Sequence, residues 1–112
     1  MQHRDKVLLE KIISEIDIAA RIMGTKGQAE FLADEILKRA IGMTVINIGE
    51  LVKNVTDELR EEHKEVPWKQ VAGFRDITAH KYQTLRMEDV YMTVRKDFPK
   101  LRENLAMILG EG

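Results

Sequence analysis

Arg75, His80 and Tyr82 fall within the twelve-residue stretch GFRDITAHKYQT (Gly73–Thr84), in a chain with only three histidines and two tyrosines. These side chains are the tools of metal-free phosphodiester chemistry on RNA. A histidine can take the proton from a ribose 2′-OH or return one to the leaving 5′-oxygen. An arginine can stabilise the charge that builds on the phosphate in the transition state. The nucleophile is then the substrate's own 2′-OH, so RNA would be cut and DNA spared. On a regular helix, at about 100° per residue, Arg75 and His80 lie about 140° apart and do not sit side by side. They can be reunited if the helix unwinds near His80, or if two protomers share one site across a two-fold axis. Asp76, at i,i+4 from His80, is the candidate for orienting a catalytic group. Spacing alone is weak support, because Arg-x4-His also arises as ordinary helix surface.

Competing chemistries find few residues to use. The single serine, Ser14, lies in the middle of a helical pattern and there is no cysteine, which argues against a Ser or Cys nucleophile. His3, His63 and His80 have no metal-ligand spacing, so no metal or other cofactor is expected. GTKG (Thr25–Gly27 with its preceding Gly24) is too short for a phosphate-cradling loop.

The elements that must position these residues read as helices. Leu9, Ile12, Ile13, Ile16, Ala20 and Met23 recur at helical spacing and predict a first helix over about Arg4–Met23, ended by Gly24. Thr25-x-x-Gln28 resembles a capping box for a second segment reaching about Leu59, with Asp34 as an alternative start. Val66-Pro67 begins a third helix that would run to about Lys81, with Pro67 in its first position and Val71, Phe74 and Thr78 facing inward. A fourth spans Arg86 to about Leu109. Its core stripe is Val90, Val94, Phe98, Leu101, Leu105 and Ile108, and Pro99 should kink or split it. No alternating strand pattern occurs. The expected fold is all-α, a small four- to five-helix up-and-down bundle.

The second segment is apolar nearly all the way round, from Ile36 and Leu37 through Ile41, Met43 and Val45 to Val52. A helix of that kind needs partners on two sides, and a small bundle supplies one. A homodimer using its second face is therefore expected, with Gly42 and Gly49 allowing close approach.

The chain has 112 residues and is expected to form one domain over 1–112, burying roughly 65% of its unfolded surface. Net charge is −1, unevenly spread: residues 1–65 carry 10 basic and 13 acidic side chains, residues 66–112 carry 8 and 6. There is no basic stripe of the kind duplex binders show. The absence of cysteine and of any apolar span points to the cytoplasm and away from the membrane.

The order of IGE (Ile48–Glu50), HKEVPW (His63–Trp68), RDITAHKY (Arg75–Tyr82) and LRMEDVYMTVRKDFPKL (Leu85–Leu101) resembles the HepT-like toxins of the HEPN superfamily over most of positions 30–110. Arg75-x4-His80-x-Tyr82 fits that family's motif; Thr78 stands where an aliphatic residue is commoner. The resemblance implies a homodimeric helical ribonuclease toxin with a composite site at the dimer cleft. Arg75 would then stabilise the scissile phosphate and His80 would act as general acid or base, supported by Asp76. It also implies an MntA-like nucleotidyltransferase antitoxin that silences the toxin by adding AMP to Tyr82. Lys81 and Arg86 are candidate RNA contacts. The alternative is a non-catalytic HEPN module that binds RNA, nucleotide or a nucleotidyltransferase partner. His3 and His63 read as surface residues, Trp68 as a core anchor of its helix, and Tyr91 as partly buried. Glu50 could support the site, though nothing in the sequence places it there.

Overall fold

The computed structural model describes residues 1–76 and 86–111, with Arg75, Asp76 and Glu111 described by their backbone. Every regular element among them is helical. They are α1 (His3–Met23), α2 (Gln28–Ala33), α3 (Glu35–Lys53), α4 (Asp57–Glu62) and α5 (Trp68–Ala72), which continues as a 3-10 turn (Gly73–Asp76). After them come α6 (Met87–Met92), a π-helical turn (Thr93–Asp97) and α7 (Phe98–Glu111). The all-α expectation holds, and no described helix is long and apolar enough to cross a membrane.

α1 is the axis of the bundle. Its buried stripe is Asp5, Leu9, Ile12, Ile16, Ala19 and Met23. Ala19 takes the place expected for Ala20, because steps of 4, 3, 4, 3 and 4 hold the stripe to one face where a repeated step of 4 would walk off it. Cross-links along α1 give its direction. Arg4 donates to the Asn54 carbonyl (3.0 Å) and the Asn47 amide lies 3.5 Å from Glu15, so α1 and α3 are antiparallel. Arg102 holds Asp17 (2.7 and 3.1 Å) and Arg95 donates to the Lys26 carbonyl (2.6 Å), so the C-terminal helix is antiparallel to α1 as well. Gly24 closes α1 at φ 56°, its N–H on the Ala20 carbonyl (2.9 Å), a left-handed position that suits glycine.

The long second segment is three helices, a correction with local causes. Gly27, not Thr25, precedes α2, and it makes no side-chain cap. The Asp34 side chain accepts the Leu37 N–H (3.0 Å) and starts α3, as its capping chemistry allows. α3 stops at Lys53 because the chain becomes extended at Thr56 (φ −65°, ψ 151°). The Thr56 hydroxyl accepts the Leu59 N–H (3.3 Å) and starts α4. The α3 end carbonyls of Val52 and Lys53 receive the Arg60 guanidinium (2.7 and 2.9 Å), a cation where the helix dipole is negative.

α3 packs against α1 and against α5 with its 3-10 turn, so this chain alone supplies two partners to it where one was expected. Leu37, Ile41, Gly42, Val45, Ile48, Gly49 and Val52 are buried along it, as is Thr44, whose hydroxyl donates to the Ala40 carbonyl (2.9 Å). The opposite face leaves Ile36 (82%) and Met43 (60%) exposed.

On the C-terminal helix all six predicted core residues are buried. The interruption near Pro99 is the π-helical turn at Thr93–Asp97. A proline has no N–H to donate and its ring presses on the preceding turn, so a widened turn just before it accommodates both. Phe31 of α2, fully buried, packs on Tyr91 (centroids 5.7 Å apart) and ties α2 to α6.

Candidate active site

The element that carries Arg75 is built from its anchor forward. Val66 is buried, Pro67 adopts φ −80°, ψ 65° as the residue before α5, and Trp68 takes the first helical position. Pro67 was expected one place further in. The Trp68 N–H donates to the Val66 carbonyl (2.9 Å) and its indole Nε1 donates to the His63 carbonyl (2.8 Å). Trp68 is 6% exposed, so it anchors α5 as expected and offers no face for stacking. His63 is mostly covered, with Nδ1 3.5 Å from Glu65, rather than the surface residue its charged neighbours suggest.

The third helix is α-helical only to Ala72; Gly73–Asp76 winds as a 3-10 turn. The α-helical register assumed across Arg75 and Asp76 is therefore corrected. The tighter winding turns successive residues by about 120° rather than 100°. The backbone of Arg75 and Asp76 lies in this turn, which packs on α3. Thr78, His80, Lys81 and Tyr82, and with them the Asp76–His80 relationship, lie outside the described residues. Arg86 is exposed, its Nε 3.7 Å from Glu88 and 4.0 Å from Asp89. Tyr91 is half-buried, as expected, under the Arg95 guanidinium (5.4 Å to the ring centroid).

Phe74 precedes Arg75, and its ring meets Phe98 edge-on (centroids 6.3 Å apart, 62°). Between these elements lies a cavity of about 270 Å³ whose floor includes Val71, Phe74, Phe98 and Leu101. Its rim carries Glu65, Gln70, Thr93, Asp97, Lys100 and Asn104. Sequence reasoning missed it. The signal was present, since Thr93, Asp97, Lys100 and Asn104 recur at steps of 4, 3 and 4, one residue before the core positions Val94, Phe98, Leu101 and Leu105. Among the described residues, no group of His, Cys, Asp and Glu could hold a metal ion.

The model of the family described as Ribonuclease HepT-like matches residues 12–108. "Putative RNase TTE0752" of Caldanaerobacter subterraneus subsp. tengcongensis is 36% identical over 102 residues, 90% of each chain. "Gamma-glutamylcyclotransferase and putative RNase MJ0434" of Methanocaldococcus jannaschii is 32% identical over 95% of this chain and 48% of its own length. "Probable ribonuclease HepT" of Thermococcus cleftensis is 28% identical over 91% of this chain and 93% of its own. No solved structure matches the chain. With the match running from α1 into α7 and across Arg75–Tyr82, this chain belongs to the Ribonuclease HepT-like family.

Proposed function

We propose that this protein is a metal-independent endoribonuclease toxin, a single HEPN-like domain over residues 1–112 acting as a homodimer. Arg75 stabilises the scissile phosphate, His80 transfers the proton, and Asp76 orients one of them. The observation that carries this reading is the Arg75-x4-His80-x-Tyr82 set inside a family match that covers residues 12–108. Two features support it. The Arg75 backbone sits in a short 3-10 turn held on α3, a rigid support for a residue that must meet a phosphate. Ile36 and Met43 are exposed on the outward face of α3, where a second copy would cover them. The dimer places residues from each protomer at one cleft. Lys81 and Arg86 hold the RNA backbone nearby. An MntA-like nucleotidyltransferase silences the enzyme by adding AMP to Tyr82, beside His80, where an attached nucleotide blocks the cleft.

The test is cleavage of labelled RNA in EDTA by the wild type, Arg75→Ala and His80→Ala. Cleavage by the wild type and a loss of at least roughly a hundredfold in each variant are expected. Full activity in either variant removes that residue from the site. RNA binding without cleavage by the wild type would favour the non-catalytic HEPN module.

A further inference from the structure

We propose that the cavity between α5 and α7 is a nucleobase subsite that takes one unstacked base of the RNA next to the bond to be cut. The inference rests on the ribonuclease reading above and names how that enzyme would grip its substrate. Size is the first argument. About 270 Å³ holds one base and not a folded peptide or a base pair. Chemistry is the second. The floor is apolar and includes Phe74, which is only half-buried and so keeps ring surface for stacking. The rim offers both kinds of partner that a base edge requires. The amides of Gln70 and Asn104 donate and accept, the Asp97 carboxylate accepts, and the Lys100 ammonium donates. None of these four side chains is tied up in a hydrogen bond or ion pair within the described chain.

Position is the third argument. Phe74 forms part of the cavity wall and is followed directly by Arg75, so a base on that wall leaves its phosphate at the turn that bears the arginine. Glu65, also on the rim, lies beside His63, whereas Asp97 has no ion pair among the described residues. Such a site would read unpaired RNA, because a base within a duplex is stacked on both faces.

The subsite can be tested apart from catalysis. Adenosine 5′-monophosphate is titrated into the full-length wild type while the Gln70 and Asn104 side-chain amides and the Thr93 methyl are followed by NMR. Saturating shifts at these three groups are expected. Ribose 5-phosphate, which keeps sugar and phosphate but lacks the base, should leave them unmoved. Asn104→Ala and Phe74→Leu, the second filling the floor without an aromatic face, should each weaken binding on the order of tenfold with unchanged far-UV dichroism. In RNA cleavage the same variants should raise KM and spare kcat, since they touch no reacting atom. No shift at the cavity, or equal shifts with ribose 5-phosphate, overturns the subsite even if RNA is cut. Base-dependent binding by a wild type that cuts no RNA keeps the subsite and overturns the ribonuclease reading.

Discussion

Asp5 of α1 is buried and closes on Thr56, 51 residues away: its Oδ2 accepts the Thr56 hydroxyl at 2.6 Å and its Oδ1 accepts the Thr56 N–H at 3.0 Å. The same hydroxyl oxygen caps α4 through Leu59. One carboxylate therefore fixes the start of α1, the turn after α3 and the first turn of α4. Asp5→Ala removes two bonds to a charged acceptor and strands the Thr56 N–H. A loss of about 2–3 kcal/mol is expected, read from the urea midpoint. Thr56→Ser, which keeps the hydroxyl, should cost under about 1 kcal/mol, and a larger loss would show that the methyl rather than the bond matters.

Arg60 reaches the last carbonyls of α3, and its Nε is buried without a partner among the described residues. Arg60→Ala should cost about 1–3 kcal/mol, because two end carbonyls lose a cationic donor. Both bonds come from one nitrogen, Nη2, so the single ammonium of Arg60→Lys should recover part of the loss, with the shorter reach of lysine costing the rest. Thermal or urea unfolding measures both.

Asp17 and Arg102 join α1 to α7, and the hydrogen bond from Arg102 holds the Asp17 carboxyl below its ordinary 3.8. A carboxylate with a depressed folded value adds stability above its unfolded value and loses it as pH falls through the folded one. The wild-type urea midpoint should therefore drop as pH falls below about 4. The Arg102→Gln variant should show a flatter profile over that window. Both side chains are about half exposed, so added salt should shrink the difference; a salt-independent difference would argue against the ion pair as its cause.

The exposed face of α3 tests the dimer separately from the fold. Ile36→Lys and Met43→Glu replace side chains that touch little of the core, so the midpoint should move by less than about 0.5 kcal/mol. Light scattering should nevertheless find the wild type at twice its 12.9 kDa chain mass and the double variant at one chain mass. If the cleft is shared, cleavage is lost with the dimer. A monomeric wild type that cuts RNA would end the shared-site idea.

Silencing by AMP addition has its own readout. Incubation with the nucleotidyltransferase partner and ATP should add AMP mass to the wild type and none to Tyr82→Phe, which should still cut RNA. Undiminished modification of Tyr82→Phe would move the acceptor to another residue.

Much of this protein was legible in one dimension. Helical spacing marked all six core residues of the C-terminal element, and Gly24, Asp34 and Pro67 marked helix ends, because those preferences act between residues a few positions apart. The Arg75-x4-His80-x-Tyr82 pattern and its neighbours were equally a matter of order and spacing. Other features depended on partners far away in the chain. The segment was read as one helix to about Leu59, past the break at residues 54–56, which is held by Arg4 and Asp5 from α1 as well as by Arg60. Asp5 is a first-turn acid of α1, and the group that pairs it in its buried place is Thr56, 51 residues further on. The cavity brings Gln70 of α5 and Phe74 of the 3-10 turn to Asp97 of the π-helical turn and Asn104 of α7, residues distant in sequence. Residue types and spacing determined which chemistry was available and which helices would carry it. Tertiary packing decided which faces met, because a contact between distant segments forms only when the rest of the fold makes up the entropy of bringing them together.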